Sequence, residues 1–349
     1  MLSALVLMLA LSVGAVFFSY QLLKMSVSND KTEIIFEVAP GTSVTQTATE
    51  LQRKKLIRNA NIFLMYSRFT NQNSKIKVGE YSLNEAMTPD EILGVLVSGK
   101  SITRSLTIAE GLNLFDVAAI LEKTGLGTRQ EFFSIVRDKE FINSLLAENL
   151  SSLEGYLFPE TYKFTKFENL KTIVTQMVKR FLFVWKEIEP EAKRLNWTRN
   201  QVVTFASIVE KETGAGADRP LVSSVFHNRL AKKMRLQTDP TILYGMALKK
   251  GEMPLNITKN DLLTPSPYNS YTTPGLPPTP ISNPGKESLL AALKPANTKY
   301  LYFVSRNDGT TVFSETLEKH NAAVKTFQMN PKARSGKSWK DLGKDKETK

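Results

Sequence analysis

Leu2 to Tyr20 is apolar on every helical face; its polar members are Ser3, Ser12, Ser19 and Tyr20. Its nineteen residues would reach roughly 28 Å as a helix, close to the thickness of a bilayer's hydrocarbon core. The run is longer than the apolar region of a secretory signal, and no A-x-A-like cleavage site follows it. The pattern predicts a single N-terminal membrane anchor within residues 1–22. Lys24 and Lys31 follow the span, and the flanking charge leaves its orientation undecided.

Beyond the anchor the pattern shortens. Lys31–Val38 is rich in β-forming residues (Ile34, Ile35, Phe36, Val38), and Pro40-Gly41 ends it. Thr42 or Ser43 then caps a helix in which Val44, Ala48 and Leu51 recur at helical spacing, to about Lys55. A second helix fits Asn61–Phe69 and a second strand Lys75–Leu83. Thr88-Pro89-Asp90-Glu91 opens a helix to Val97, and Gly99 closes it. Strand, helix, helix, strand and helix make a small α+β module, bounded at 32–99.

A larger region follows, bounded at 100–328. Ser101–Ile108 reads as a strand, and helices fit Leu114–Leu121 and the segment of Phe132, Phe133, Ile135 and Val136. Glu154–Tyr162 is turn-rich and aromatic. Ile173–Trp185 is a long amphipathic helix, Asn200–Thr213 another that Gly214 and Gly216 terminate, and Val222–Leu230 a third. Thr264–Pro284 is too dense in proline for regular structure, and so long a loop in a compact domain is usually functional. Tyr300–Val304 and Thr311–Phe313 form a hairpin about Asn307-Asp308-Gly309.

Composition narrows the chemistry. The 349 residues are 42% hydrophobic and 23% charged, enough for two or three buried cores. Without cysteine there is no disulfide framework, thiolate nucleophile or iron–sulfur cluster, and two histidines cannot make a multi-histidine metal site. The net charge is +12; seven Lys/Arg against three acids in Lys332–Lys349 make residues 329–349 a basic, polar tail. No stacking-aromatic or zinc-finger pattern accompanies that charge, so a solvated surface near a membrane is read rather than a nucleic-acid module. Neither G-x-x-x-x-G-K-[ST] nor G-x-G-x-x-G occurs. Ser–His–Asp catalysis would need His227 or His320, and both read as structural or surface positions. Carboxylate chemistry remains, with no metal or cofactor expected.

The segment Ala206-Ser207-Ile208-Val209-Glu210-Lys211-Glu212-Thr213-Gly214 closes an apolar helix with two glutamates. Two residues apart, they point roughly 200° from each other about the axis, so they cannot both reach one bond. One can face a cleft while the other meets solvent or a salt-bridge partner, and the helical wheel barely separates them. An apolar setting raises a glutamate's pKa, which suits a general acid.

This segment resembles the endolytic murein transglycosylases of the YceG-like family. So do Glu154–Tyr162, Val225–Leu230, Arg235–Thr241, Tyr268-Asn269-Ser270-Tyr271 and Gly275-Leu276-Pro277-Pro278, a similarity running from the anchor to His320-Asn321. The resemblance implies an α+β protein with a transmembrane helix, a LysM-like module and a lytic-transglycosylase-type (lysozyme-like) catalytic domain. It implies a single-pass protein of the bacterial inner membrane, its main body extracytoplasmic, acting on peptidoglycan glycan strands beside cell-wall synthesis proteins. The family's catalytic glutamate falls on Glu212, and Gln237, Asp239, Tyr244, Tyr268, Asn269 and Tyr271 are candidates for lining the glycan cleft. The family often carries Asp after Phe-Pro, where this chain has Glu160. Two alternatives stay open: a hydrolase of the same bond, with Asp239 or Glu160 as second carboxylate, and a non-catalytic wall-binding scaffold.

Overall fold

A computed structural model describes residues 21 and 23–329. The apolar run Leu2–Tyr20 and the tail Lys332–Lys349 lie outside the described residues. Among those described, no helix is long and apolar enough to cross a membrane. The chain divides into two compact units, one of residues up to Leu106 with Lys163–Asn169, the other of Thr107–Tyr162 with everything from Leu170 on.

In the first unit β1 (Ile34–Val38) turns Phe36 and Val38 inward and leaves Ile35 exposed. Ser43 and Gln46 form a reciprocal cap on α1 (Val44–Arg53), and the Asn59 side chain accepts from the amides of Asn61 and Ile62 in the first turn of α2 (Ala60–Phe69). The chain then returns as β2 (Gly79–Leu83), antiparallel to β1 with Ile34 opposite Leu83 and Val38 opposite Gly79. The strand expected from Lys75 starts only at Gly79, because Asn73–Lys75 is a 3-10 turn and the Lys77 N–H donates to the Leu96 carbonyl. Thr88 and Glu91 box the start of α3 (Pro89–Ser98), and Gly99, at φ 72°, ends it in the left-handed conformation glycine favours. Phe36, Leu51, Phe63, Tyr81 and Ile92 form its buried core. Each such side chain contributes roughly 1.5–3 kcal/mol by leaving water.

β3 (Arg104–Thr107) leads to α4 (Leu114–Lys123), α5 (Arg129–Val136) and α6 (Lys139–Leu146) of the second unit. The sequence reading omits α6, whose apolar face is only Phe141, Ile142 and Leu146; the Asp138 side chain starts it by accepting from the amides of Glu140 and Phe141. β4 (Thr161–Phe164) follows the aromatic turns. The long helix outruns its expected bounds as α7 (Leu170–Arg194) and passes through Pro190. An interior proline costs a helix about 3 kcal/mol, but Val184 and Ile188 before it and Ala192 after it keep the buried stripe unbroken and hold the last turns.

The centre of this unit is α8 (Arg199–Glu212). Thr198 and Gln201 cap its start, and every residue from Val202 to Val209 is buried. It packs against α7, α9 (Arg219–Ala231), α10 (Asp239–Lys250) and, beyond the short α11 (Lys259–Leu263), α12 (Lys286–Leu293). The proline-dense stretch is irregular, as expected, yet its end is core: Ile281, Ser282 and Asn283 are buried. The Ile281 N–H donates to Ser207 Oγ on α8 (3.0 Å), and the Asn283 amide donates to the Leu112 carbonyl (2.8 Å). The expected hairpin forms as β5 (Tyr302–Ser305) and β6 (Thr311–Ser314), antiparallel, and α13 (Leu317–Phe327) packs on both.

Candidate active site

α8 emerges from the core at its C-terminal turn, where the two glutamates part. Glu210 is engaged on both oxygens: Oε1 meets the Arg219 guanidinium at 3.1 Å and Oε2 accepts the Gly285 N–H at 3.0 Å. Arg219 also reaches Glu110 (3.2 Å) and Ser288 (3.1 Å), so Glu210 closes a knot between helices. Glu212 points the other way, into an open cavity of about 440 Å³.

Glu212, Arg229, Gln237, Asp239 and Tyr271 line that cavity with Tyr302, Leu317 and His320. Desolvation pushes the Glu212 carboxyl above the ordinary carboxylate range, and the Asp239 charge adds to this. The Thr238 hydroxyl, which donates to Glu212 Oε1, and the Arg229 charge oppose it. Tyr271 donates its hydroxyl to Asp239 Oδ1 (2.7 Å). Arg229 is buried, its guanidinium over the Tyr302 ring at 5.4 Å and bonded to the Leu301 carbonyl at 2.7 Å. His320 stacks on Tyr302 (5.2 Å between centroids); burial, aided by the Arg229 charge, pushes its pKa down. Gln237 holds φ 53°, a left-handed conformation uncommon for glutamine, and its N–H donates to the Ser270 carbonyl (3.1 Å). Such positions gather at functional sites because the surrounding structure must impose them.

Of the residues expected around the cleft, Glu212, Gln237, Asp239 and Tyr271 meet in one cavity, and Tyr244, Tyr268 and Asn269 do not reach it. Tyr244 is buried against Phe115 and Tyr268, and Tyr268 bonds to Thr279 (2.8 Å). Asn269 donates to the carbonyls of Asp261, Leu262 and Thr264, locking the proline-dense loop. Tyr268 and Asn269 belong to the loop that carries Tyr271, and Tyr244 of α10 packs against it through Tyr268. Glu160 pairs with Arg180 (2.6 Å) and is absent from the cavity wall. His227 is structural: it stacks on Trp197, and its Nε2 lies 2.8 Å from the Ala292 carbonyl. His320, expected to be equally passive, lies in the cavity wall. Arg229, Thr238 and Tyr302 were not singled out either. Arg229 and Thr238 sit inside motifs that carried the resemblance, which was the available signal; no such signal marked Tyr302.

Glu154, from another of those motifs, is fully buried away from the cavity. Its Oε2 accepts the Leu114 N–H (3.0 Å) at the start of α4, and Tyr244 faces it. Burial pushes its carboxyl up to about 8. The folded chain therefore keeps a proton that the unfolded chain releases near the ordinary glutamate value. This contribution is complete below that value and declines as pH rises through about 8. Glu154→Gln should abolish the decline, so its stability relative to the parent rises between pH 5 and pH 8. Denaturant titrations at both pH values check this, and a parallel pH dependence in the two proteins would refute it.

The sequence profile of the YceG-like family matches residues 36–326. An endolytic murein transglycosylase of Bacillus subtilis is 34% identical over 329 residues, covering 90% of each chain. One from Streptococcus pneumoniae is 29% identical over 93% of this chain, which spans 64% of that longer relative. The crystal structure of a yceG-like protein from Listeria monocytogenes superposes with a TM-score of 0.58 at 36% identity, over 84% of this chain and 99% of that one. The likeness carried by motifs spread along the sequence thus holds over nearly its whole length, and the chain belongs to the YceG-like family.

Proposed function

We propose that this chain is a peptidoglycan lytic transglycosylase in which Glu212 serves as acid and then as base. The observation that carries the reading is the division of labour on α8: Glu210 is consumed by Arg219 and Gly285, while Glu212 faces the cavity with its proton favoured by desolvation. Protonated Glu212 donates to the oxygen joining N-acetylmuramic acid to N-acetylglucosamine, and the bond to C1 breaks. The resulting carboxylate takes the proton of the muramoyl C6 hydroxyl, whose oxygen attacks C1 and closes a 1,6-anhydro ring. The step consumes no water, and one residue returns to its starting state. Gln237, Asp239 and Tyr271 line the path of the glycan. Cleavage within nascent strands would end their elongation.

Asp239 supports a second reading. It is another carboxylate in the same wall, as a hydrolase of this bond would need, although Tyr271 already occupies one of its oxygens. The apolar run Leu2–Tyr20 supports an inner-membrane anchor with an extracytoplasmic body, and the strand–helix–helix–strand order of the first unit supports a LysM-like glycan-binding module. One experiment addresses anchor and product together. The full chain should be recovered in the membrane fraction, and glycan strands it digests should lack one water at the new muramoyl end. Recovery in the soluble fraction would overturn the anchor, and fully hydrated ends would replace the lyase by the hydrolase.

A further inference from the structure

Thr238 stands immediately before α10 and is buried, and among the described residues the acceptor of its hydroxyl proton is Glu212 Oε1. Its backbone is fixed from two sides. The Thr238 N–H donates to Ser270 Oγ (2.9 Å), and its carbonyl accepts from Thr241 Oγ1 (2.8 Å). The hydroxyls of Thr241 and Ser270 lie 2.9 Å apart, and both residues are buried. This hydroxyl cluster joins α10 to the loop of Asn269, Ser270 and Tyr271. The left-handed turn at Gln237 delivers Thr238 to it.

A carboxylic acid can work first as acid and then as base through one and the same oxygen when its other oxygen is held by a fixed partner. Resting on the assignment of Glu212 as that acid, we propose that Thr238 is the positioning residue that makes the two carboxyl oxygens unequal: its hydroxyl occupies Oε1 throughout, so the transferable proton resides on Oε2. The proton leaves Oε2 for the glycosidic oxygen, the carboxylate stays anchored through Oε1, and Oε2 receives the proton of the C6 hydroxyl. The cluster of Ser270 and Thr241 holds the threonine still while charge appears and disappears on its partner. A hydrogen bond to the ionised form is stronger than one to the neutral acid, so Thr238 also favours ionisation. Asp239 from α10, Arg229 from α9 and Tyr271 from the loop also act on Glu212; Tyr302 from β5 and His320 from α13 line the same cavity, and Glu210 and Lys211 are the other charged residues at this end of its helix.

The test compares Thr238→Val, which keeps the shape and loses the hydroxyl, with Thr238→Ser, which keeps the hydroxyl, in the full chain. Carboxyl-carbon NMR titration reads Glu212 directly, its signal assigned by absence in Glu212→Gln. Thr238→Val should titrate about one pH unit higher, the roughly tenfold change in proton affinity that one charge-assisted hydrogen bond brings. The alkaline limb of its kcat/KM profile should move up with it, and kcat should fall roughly 10–100-fold with KM little changed. Thr238→Ser should restore the titration, the limb and most of kcat. A folded Thr238→Val with the parental titration and profile overturns the proposal. Thr238→Ala replaces it if the valine variant fails to fold. Loss of fold in both, with Thr238→Ser intact, would assign the hydroxyl to stability alone and equally overturn it. Retained turnover in Glu212→Gln would instead defeat the assignment of the acid, while the NMR titration still reports on the hydrogen bond.

Discussion

Glu212→Gln should lower turnover of glycan strands by ~10²–10⁴-fold, the usual worth of positioned general acid–base catalysis. Glutamine keeps the shape and accepts the Thr238 hydroxyl, but it has no proton to give the glycosidic oxygen and cannot take one back. The fold should survive, because glutamine is a good helix former and the position ends α8. Glu210→Gln is the informative control. It removes the charge that faces Arg219 and weakens the knot with Gly285 and Glu110, so it should lose stability. Breaking one side of a buried pair costs up to ~3–5 kcal/mol, and the glutamine amide, which still accepts one bond, should keep the loss below that. Its folded fraction should retain most of its turnover. Release of anhydro-muropeptides, with circular dichroism for folding, reads both variants. An inactive, folded Glu210→Gln beside an active Glu212→Gln would exchange their roles.

Gly155→Ala should be the most damaging single-methyl change to the fold. Gly155 holds φ 87°, and a Cβ there would lie 2.6 Å from both Pro280 Cβ and Val203 Cγ1. The left-handed backbone costs an alanine roughly 1–2 kcal/mol, and forcing a methyl into packed core adds about 1–3 kcal/mol. Neither neighbour can yield freely: Val203 is buried on α8, and Pro280 precedes Ile281 and Ser282, which are bonded to Ser207. A total near 3 kcal/mol would lower the melting temperature by about 6–12 °C in a domain of this size. Activity should fall with it, since the loop tied to α8 also carries Tyr271. Gly214→Ala, where an added Cβ meets nothing within 4 Å, should be close to neutral. Calorimetry of the two variants measures the contrast, and equal melting temperatures would mean that the Gly155 contact yields easily.

Much of this protein is written locally. Ser43 with Gln46, Thr88 with Glu91 and Thr198 with Gln201 place helix starts, since a capping side chain bonds amides only two or three residues away. Asn307-Asp308-Gly309 places the β5–β6 hairpin for the same reason. The irregularity of Thr264–Pro284 follows from residues that lack an N–H. Motifs long enough to be specific identified the family, and with it the expectation that Glu212 rather than Glu210 faces the cleft.

Tertiary structure decided what spacing along one helix leaves open. A step of two residues says only that Glu210 and Glu212 diverge. Arg219 of the next helix and Gly285, 75 residues on, claim the first, and Thr238, 26 residues on, meets the second. Bonds within the proline-dense loop itself made Tyr268 and Asn269 its supports, with Tyr244 of α10 packed against Tyr268, and long-range packing brought His320, from α13, to the cavity wall. A polar side chain looks alike in sequence whether it binds a ligand or a backbone carbonyl. Its role is fixed by which unpaired groups the folded core presents to it, and those groups come together only when distant elements pack.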